Sequence, residues 1–564
     1  MDVVQVISKI ARIGRLWIFP IFKCFLIASI ALHNSIALGE KFRLDDPIWR
    51  DLDDRNTLTP AKRTVADYYD FLENTFTSPG DQRKIRALNI NSLGEVPDSN
   101  WFTNRHGLKL MSIDELVRGP DKGGPSLEGK WQVIQNKLGG ISPGFRIMDS
   151  TGIIYQLKFD PRTNPEMATS AEVISTKFFH AMGYFVAEDY IVKFSRDQLT
   201  ISPQAQFIDM VGKVRSMKAT DVDEILTRAA IGSDGKYRAV ASKFIPGKPV
   251  GEYLYHGTRA DDPNDIFPHE HRRELRGLRV FCAWLNHDDS RSINTFNTLI
   301  SENGRQFVRH YLFDFGSTLG SGSTMPQKAR ASNEYLWEPG PTFKSMFSLG
   351  LWVRPWLKVK YPTYPSLGNF EADFFQPEKW KPEYPNPAFR NMTDEDAFWA
   401  ARIVMAFTDE QVRAMVRTGQ LSDSKAEEYL IACLIKRRDK IGQHWLNQVN
   451  PIDYFEVQHG VLVFENASIR HKVANPGPTS CEAQWFTFDD RTGTRNPVAS
   501  IRKTDQFQIP IPAAAFSGPR CGEDHYCLVE VKSHHPKHPS WSKPVLIYLK
   551  KTGESIRVVG LERE

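Results

Sequence analysis

Apolar positions change their period twice along this chain. Over 131–137, 145–148 and 153–159 they form short runs rich in aromatic and β-branched residues, split by glycine-rich and Asp-Ser-Thr-Gly turns, as an antiparallel sheet requires. At 170–182 the spacing becomes helical, with Ala171, Ile174, Phe178 and Ala181 on one face. Strands are predicted again at 190–194 and 237–244, the second stopped by Ile245-Pro246-Gly247. Helical spacing then dominates, at 268–285, 394–407, 409–417 and 422–449, and Ser424 with Glu427 has capping-box spacing at the start of the last. From about 451 short strands return, at 460–464, 483–488, 526–532, 544–549 and 555–560.

These patterns predict an α+β chain in four parts. Residues 1–39 stand apart as a targeting segment, and 40–125 form an N-terminal extension with a helix at 66–75 and Trp101 and Phe102 as packing anchors on a later domain. Residues 126–450 give a small sheet-rich lobe followed by a larger helical one, and 451–564 an all-β sandwich. The stretch 353–390, rich in Pro, Trp and Tyr, reads as a long ordered surface loop.

With 564 residues, the length agrees with about three folded units, and 41% apolar with 25% charged residues is ordinary globular composition. A net charge of +5, dispersed along the chain, argues against a nucleic-acid partner. Lys9, Arg12, Arg15 and Lys23 precede the apolar run 24–32, with small residues at Ala37 and Gly39, which is the layout of a secretory signal. The apolar stretch 16–38 also allows an uncleaved membrane anchor. Either reading places the remainder across a membrane, as an exported protein that is periplasmic, secreted or anchored facing outward. Beyond Cys24, the cysteines 282, 433, 481, 521 and 527 show no metal-binding spacing. Cys521 and Cys527 bracket a loop that a disulfide would close, contributing roughly 2 kcal/mol, while Cys282 reads as a buried thiol. Asn391 and Asn466 open glycosylation sequons.

The candidate chemistry lies at His287-Asp288-Asp289-Ser290-Arg291-Ser292-Ile293-Asn294, followed twenty residues after Asn294 by Asp314-Phe315-Gly316. This is H-x-D-x4-N and then D-F-G, the spacing by which phosphoryl-transfer sites hold a hydroxyl beside one carboxylate and a metal-nucleotide between an amide and another. Asp289 is the candidate base, and Asn294 and Asp314 the candidate metal ligands. Such a site also needs a lysine for the nucleotide phosphates, a carboxylate to orient it, and backbone amides near the phosphates. Lys158 on the third strand, Glu172 on the next helix, and Gly139, Gly140 and Gly144 in the first turn supply these in the right order, with Glu166 as an alternative partner for Lys158. Gly316 to Gly322 reads as a flexible glycine-serine segment. His534, His535 and His538 lack acidic or cysteine neighbours and read as a solvated loop.

Over roughly 126–450 the chain resembles the protein-kinase-like superfamily, its atypical members more than conventional kinases. Asn286 through Asn294 is similar to the catalytic segment of HipA-type kinases and, in spacing, to that of phosphatidylinositol kinases; the export signal adds a resemblance to secretory-pathway and CotH spore-coat kinases. The resemblance implies a two-lobed protein-kinase-like domain, with Asp289 as catalytic base, Asn294 and Asp314 as ligands of Mg or Mn, and Lys158 on the phosphates of ATP or a related nucleotide. Two features depart from it: Asp288 stands where H-R-D has arginine, and no A-P-E follows Asp314.

Two other functions fit the same residues. One is a kinase-like binding protein without catalysis, which the export signal favours because ATP is scarce outside the cytoplasm; the other is nucleotidyl transfer on the same fold. The acceptor, protein or small molecule, is not encoded in these motifs.

Overall fold

The computed structural model describes residues 40–563 apart from 52, 210, 350, 362 and 499–501. The predicted targeting segment 1–39 lies outside the described residues, and among those described no helix is long and apolar enough to cross a membrane.

The extension contributes α1 (Asp67–Phe76) and α2 (Ile113–Arg118), then β1 (Trp131–Asn136), β2 (Gly144–Met148) and β3 (Ile154–Phe159) begin the first sheet. It continues through α3 (Met167–Ala181), β4 (Phe185–Val186), β5 (Asp189–Phe194), β6 (Leu199–Ile208), β7 (Val214–Ser216), α4 (Ala219–Thr227) and β8 (Tyr237–Lys243). Seven of these strands pair in the order β5-β8-β3-β2-β1-β6-β7, antiparallel except for β1 with β6. Alternation in β1 to β3 sends Trp131, Val133, Phe145, Ile147, Tyr155, Leu157 and Phe159 into one core. Strand β6 was not predicted, because Pro203 interrupts it and its burial is irregular; the register shift between Val133 and Gln135 of β1 accommodates the break.

Helix α3 starts three residues earlier than predicted and has only one side chain that is not buried. Its N-terminus is held from outside: the buried Asp160 accepts from Ala168 N at 2.8 Å and Thr169 N at 2.9 Å. A second sheet of β9 (Lys248–Gly251), β10 (Thr295–Glu302) and β11 (Arg305–Leu312) takes the order β4-β11-β10-β9. Strand β10 was also missed, although Asn303-Gly304, both at positive φ, is the two-residue turn that joins it to β11.

The helical core combines α5 (Arg273–Leu285), α6 (Pro339–Phe347), α7 (Pro387–Asn391), α8 (Asp394–Met405), α9 (Asp409–Arg417) and α10 (Ser424–Trp445), with α6 alone having no buried residue. Helix α10 is capped by Asp423, whose side chain accepts from Lys425 N at 2.9 Å, rather than by the Ser424 and Glu427 box. Two segments are more tightly held than predicted. Within 353–390 the first part, to about 365, does lie at the surface, but Leu367, Phe370, Phe375, Trp380 and Phe389 enter the core, so from 367 onward this is not a surface loop. Within 316–322, Thr318 and Ser321 are buried, and Leu319 N bonds to Leu285 O at 2.8 Å, so it is a packed turn rather than a flexible one.

Aromatic residues upstream of 126 pack on later parts of the chain. Trp101 stacks on His310 with ring centroids 3.4 Å apart, and Phe102 packs against Tyr184 and Trp399. Farther upstream, Phe42 lies among Phe488, Tyr526 and Tyr548 of the C-terminal region. There a sheet of Ile452–Gln458, Val461–Asn466 and Gln508–Pro510 and a larger one built on Ser480–Phe488, Asp524–His534, Val545–Thr552 and Ser555–Arg563 share one apolar core. The described cysteines are all free. Cys527 is buried in that core while Cys521 Sγ meets Glu40 Oε1 at 2.9 Å, so the predicted disulfide does not form. Neither sequon presents its asparagine: Asn391 is buried and donates to Asp81 O at 2.6 Å, and Asn466 is buried as a helix cap.

Candidate active site

Strand β3 and helix α3 converge where Lys158 points away from the sheet core. Its Nζ lies 3.0 Å from Glu172 Oε2 and 2.8 Å from Asp314 Oδ1. Glu166, the alternative partner, instead accepts from Ser422 N at 2.8 Å, outside this cluster. Burial opposes the charge on Lys158, but the Asp314 and Glu172 carboxylates more than reverse this and raise its pKa. In turn Lys158 holds Asp314 below the usual carboxylate range, while burial raises Glu172. Glu172 is almost closed off, whereas the Asp314 side chain is 41% exposed, so Asp314 is the carboxylate with room for another ligand.

The backbone fixes this arrangement. Asp314 itself is left-handed, φ 64° and ψ 60°, at the end of β11, and Phe315 N donates to Glu172 Oε1 at 3.1 Å. The Phe315 ring stacks on Phe179 of α3 at 4.6 Å and meets His287 edge-on at 5.6 Å. Thus one carboxylate of α3 orients both Lys158 and the turn that carries Asp314.

The second loop follows α5, which ends at the left-handed Asn286. His287 is buried and lowered to about 4 by that burial, so it is neutral packing beneath the loop. Phe313 N donates to Asn294 O at 3.2 Å, tying this loop to the end of β11, and Asn294 Nδ2 donates to Asp289 O at 2.7 Å. That leaves the Asn294 side-chain oxygen as its available donor atom for a cation. Asp289 is paired with Arg291, whose Nη1 also reaches Asp67 of α1 at 2.9 Å and whose Nε lies 3.5 Å from Glu383. Burial lifts Asp289 to about 6, with Arg291 opposing and Glu383 adding to the rise.

Asp288 is buried, and that burial raises its pKa far above the usual range. It accepts from Gln327 Nε2 at 2.6 Å; Gln327 Oε1 accepts from Asn286 Nδ2 at 2.8 Å, and Asn286 Oδ1 from Arg437 Nη2 at 3.1 Å. Two amides thus link the buried Asp288 to the Arg437 guanidinium.

The three glycines divide. Gly139 and Gly140 have positive φ in the β1–β2 turn, where Lys137 Nζ donates to Ser142 Oγ at 2.9 Å. Gly144 instead pairs with Lys158 across β2 and β3, and a side chain there would come within 2.2 Å of Leu157 O, so it is a packing glycine. Ser142, Lys158, Thr169, Glu172, Asp314, Gly316 and Ser323 enclose a recess of ≈10 Å³, about one water.

A solved kinase structure is similar to part of the chain. It is the crystal structure of the Helicobacter pylori proinflammatory kinase CtkA, at 13% identity and a TM-score of 0.28, covering 55% of this chain and 95% of that one. No family model matches the chain, and no curated protein does. At that TM-score the likeness fixes no residue correspondence, and what can be said of the site rests on its geometry within a mixed α+β fold of several sheets.

The structure brings Lys158, Glu172 and Asp314 into contact and sets Asp289 and Asn294 on the adjoining loop. Sequence reasoning passed over Arg291, Glu383, Gln327, Ser142 and Lys137. Arg291 was legible, two residues after Asp289, and so were Lys137 and Ser142, which bracket Gly139 and Gly140; Gln327 and Glu383 arrive from separate segments with no pattern of their own.

Proposed function

We propose that this chain is an exported, metal-dependent phosphotransferase of the atypical kinase type, using ATP or a related nucleotide. The observation that carries the reading is Lys158 held between Glu172 at 3.0 Å and Asp314 at 2.8 Å, with Asp289 and Asn294 on the next loop. Asp314 and the Asn294 oxygen form a hard-oxygen pair that suits Mg or Mn, and such an ion would screen the phosphate charge. Lys158 would hold the nucleotide phosphates, and the turn with Gly139 and Gly140 would cover them. As the terminal phosphorus leaves its bridging oxygen for the acceptor oxygen, Asp289 would take the hydroxyl proton. The small recess means that nucleotide entry requires the Ser142 turn and the Gly316 to Ser323 turn to separate.

A second reading, a kinase-like binding protein without turnover, draws support from the same recess and from the pairing of Asp289 with Arg291. Thermal shift with ATP or GTP and Mg²⁺ or Mn²⁺, followed by intact-mass analysis, separates the two. A nucleotide at a hundredfold its Kd stabilises the native state by about 2.7 kcal/mol. Added mass of a phosphate supports the kinase, and of a nucleotide, nucleotidyl transfer. Neither shift nor added mass with any pair would refute both activities.

A further inference from the structure

Between Glu338 and Glu371 the chain has no acidic residue and four basic ones, Lys344, Arg354, Lys358 and Lys360. Where the longer helices of the body bury an apolar face, this stretch does the opposite: Phe343, Met346, Phe347, Leu349, Leu351, Val353 and Leu357 are all exposed. Exposure peaks at one turn, with Phe347 at 78%, Leu349 at 91% and Leu351 at 88%. The turn closes on itself: Leu349 N bonds to Met346 O at 3.1 Å, Leu351 N to Ser348 O at 2.9 Å, and Trp352 N to Ser348 Oγ at 3.1 Å. Its base is anchored, with Glu334 accepting from Arg354 Nε at 3.0 Å and from Trp356 Nε1 at 2.8 Å.

We propose that this segment is a docking device for a bilayer carrying anionic lipid, with the Phe347, Leu349 and Leu351 side chains as the tip that enters the boundary between headgroups and acyl chains. Three observations favour a bilayer over a protein partner. The most exposed side chains, Phe347, Leu349 and Leu351, crowd into one short turn and lie outside the cavity that Trp352 and Trp356 line, which suits shallow insertion. The tip amides above are internally bonded, so these donors enter a region poor in water without losing partners. Exposed Lys344, Lys358 and Lys360, with no acid among them, lie on the same stretch as the tip, and the partly exposed Trp337, Trp352 and Trp356 flank it as interfacial residues do. The proposal is independent of phosphoryl transfer, since it involves neither Lys158 nor Asp289.

The test uses the full chain with vesicles of phosphatidylcholine alone or with about 30% phosphatidylserine, and reads amide hydrogen exchange peptide by peptide. That local readout separates this segment from any binding by residues 1–39. Exchange across 339–358 should slow on the anionic vesicles, less so on neutral ones, and the protection should weaken with added salt. The variant Phe347→Glu, Leu349→Glu, Leu351→Glu alters only exposed side chains and should abolish that protection; Lys358→Glu with Lys360→Glu should remove the preference for anionic lipid. Unchanged exchange across 339–358 on vesicles would overturn the proposal. So would the same protection appearing without lipid as the protein concentration rises, which would identify a second copy as the occupant.

Discussion

Replacing Arg291 with Gln is expected to move the pH at which the site works. In the native chain Arg291 lies on the Asp289 carboxylate and is itself held by Asp67 at 2.9 Å and Glu383 at 3.5 Å. Burial lifts Asp289 to about 6, and Arg291 is the main force holding it from rising further. A cation in contact depresses a carboxylate by about 1–3 units, so its removal places Asp289 at about 7–9. The ionised fraction at pH 7 then falls from about nine-tenths to between about one-half and one-hundredth. If Asp289 receives the acceptor proton, the rate at pH 7 falls about 2- to 100-fold, and the acid limb of the profile moves by the same 1–3 units. Turnover measured from about pH 5 to 9.5 on both proteins checks this, and the variant should regain rate at the alkaline end. Stability runs the opposite way with pH: the raised Asp289 contributes stability that is fully present below its ordinary 3.8 and is lost as pH rises through about 6. An acid limb at the same pH in both proteins, or a loss of rate equal at every pH, would refute the reasoning.

Other residues give independent checks. Lys158→Ala should lower transfer by about 10²–10³-fold, and intact-mass or radiolabel assays should show it together with loss of the nucleotide thermal shift. Asp396→Asn should destabilise the helical core by about 3–5 kcal/mol in chemical denaturation, because a fully buried carboxylate serves Arg273 at 3.0 Å, Arg276 at 3.2 Å and the N-terminus of α8 at once. Trp101→Ala should cost about 3–5 kcal/mol and speed amide exchange in the extension, since the indole stacks on His310 at 3.4 Å and is buried.

Much of the site was legible because its parts sit in contiguous strings. His287 to Asn294 and Asp314 to Gly316 are each one loop, and a loop's spacing survives into three dimensions. Lys158 and Glu172 were found because strand and helix periods placed them, and their contact at 3.0 Å follows from α3 packing under β3. The wrongly read segments, 316–322 and 367–390, share a cause: glycine, serine and proline composition reports local freedom, while burial depends on what the rest of the chain presents to them.

The sequence by itself determined the periods, and through them the sheet-rich, helical and β-rich succession, because side-chain alternation is a property of each segment alone. Only the tertiary structure decided which carboxylate Lys158 meets, that Arg291 lies on Asp289, and that Gln327 bonds to the buried Asp288. Those contacts join residues far apart in the chain, and their strength comes from burial, which no local pattern encodes.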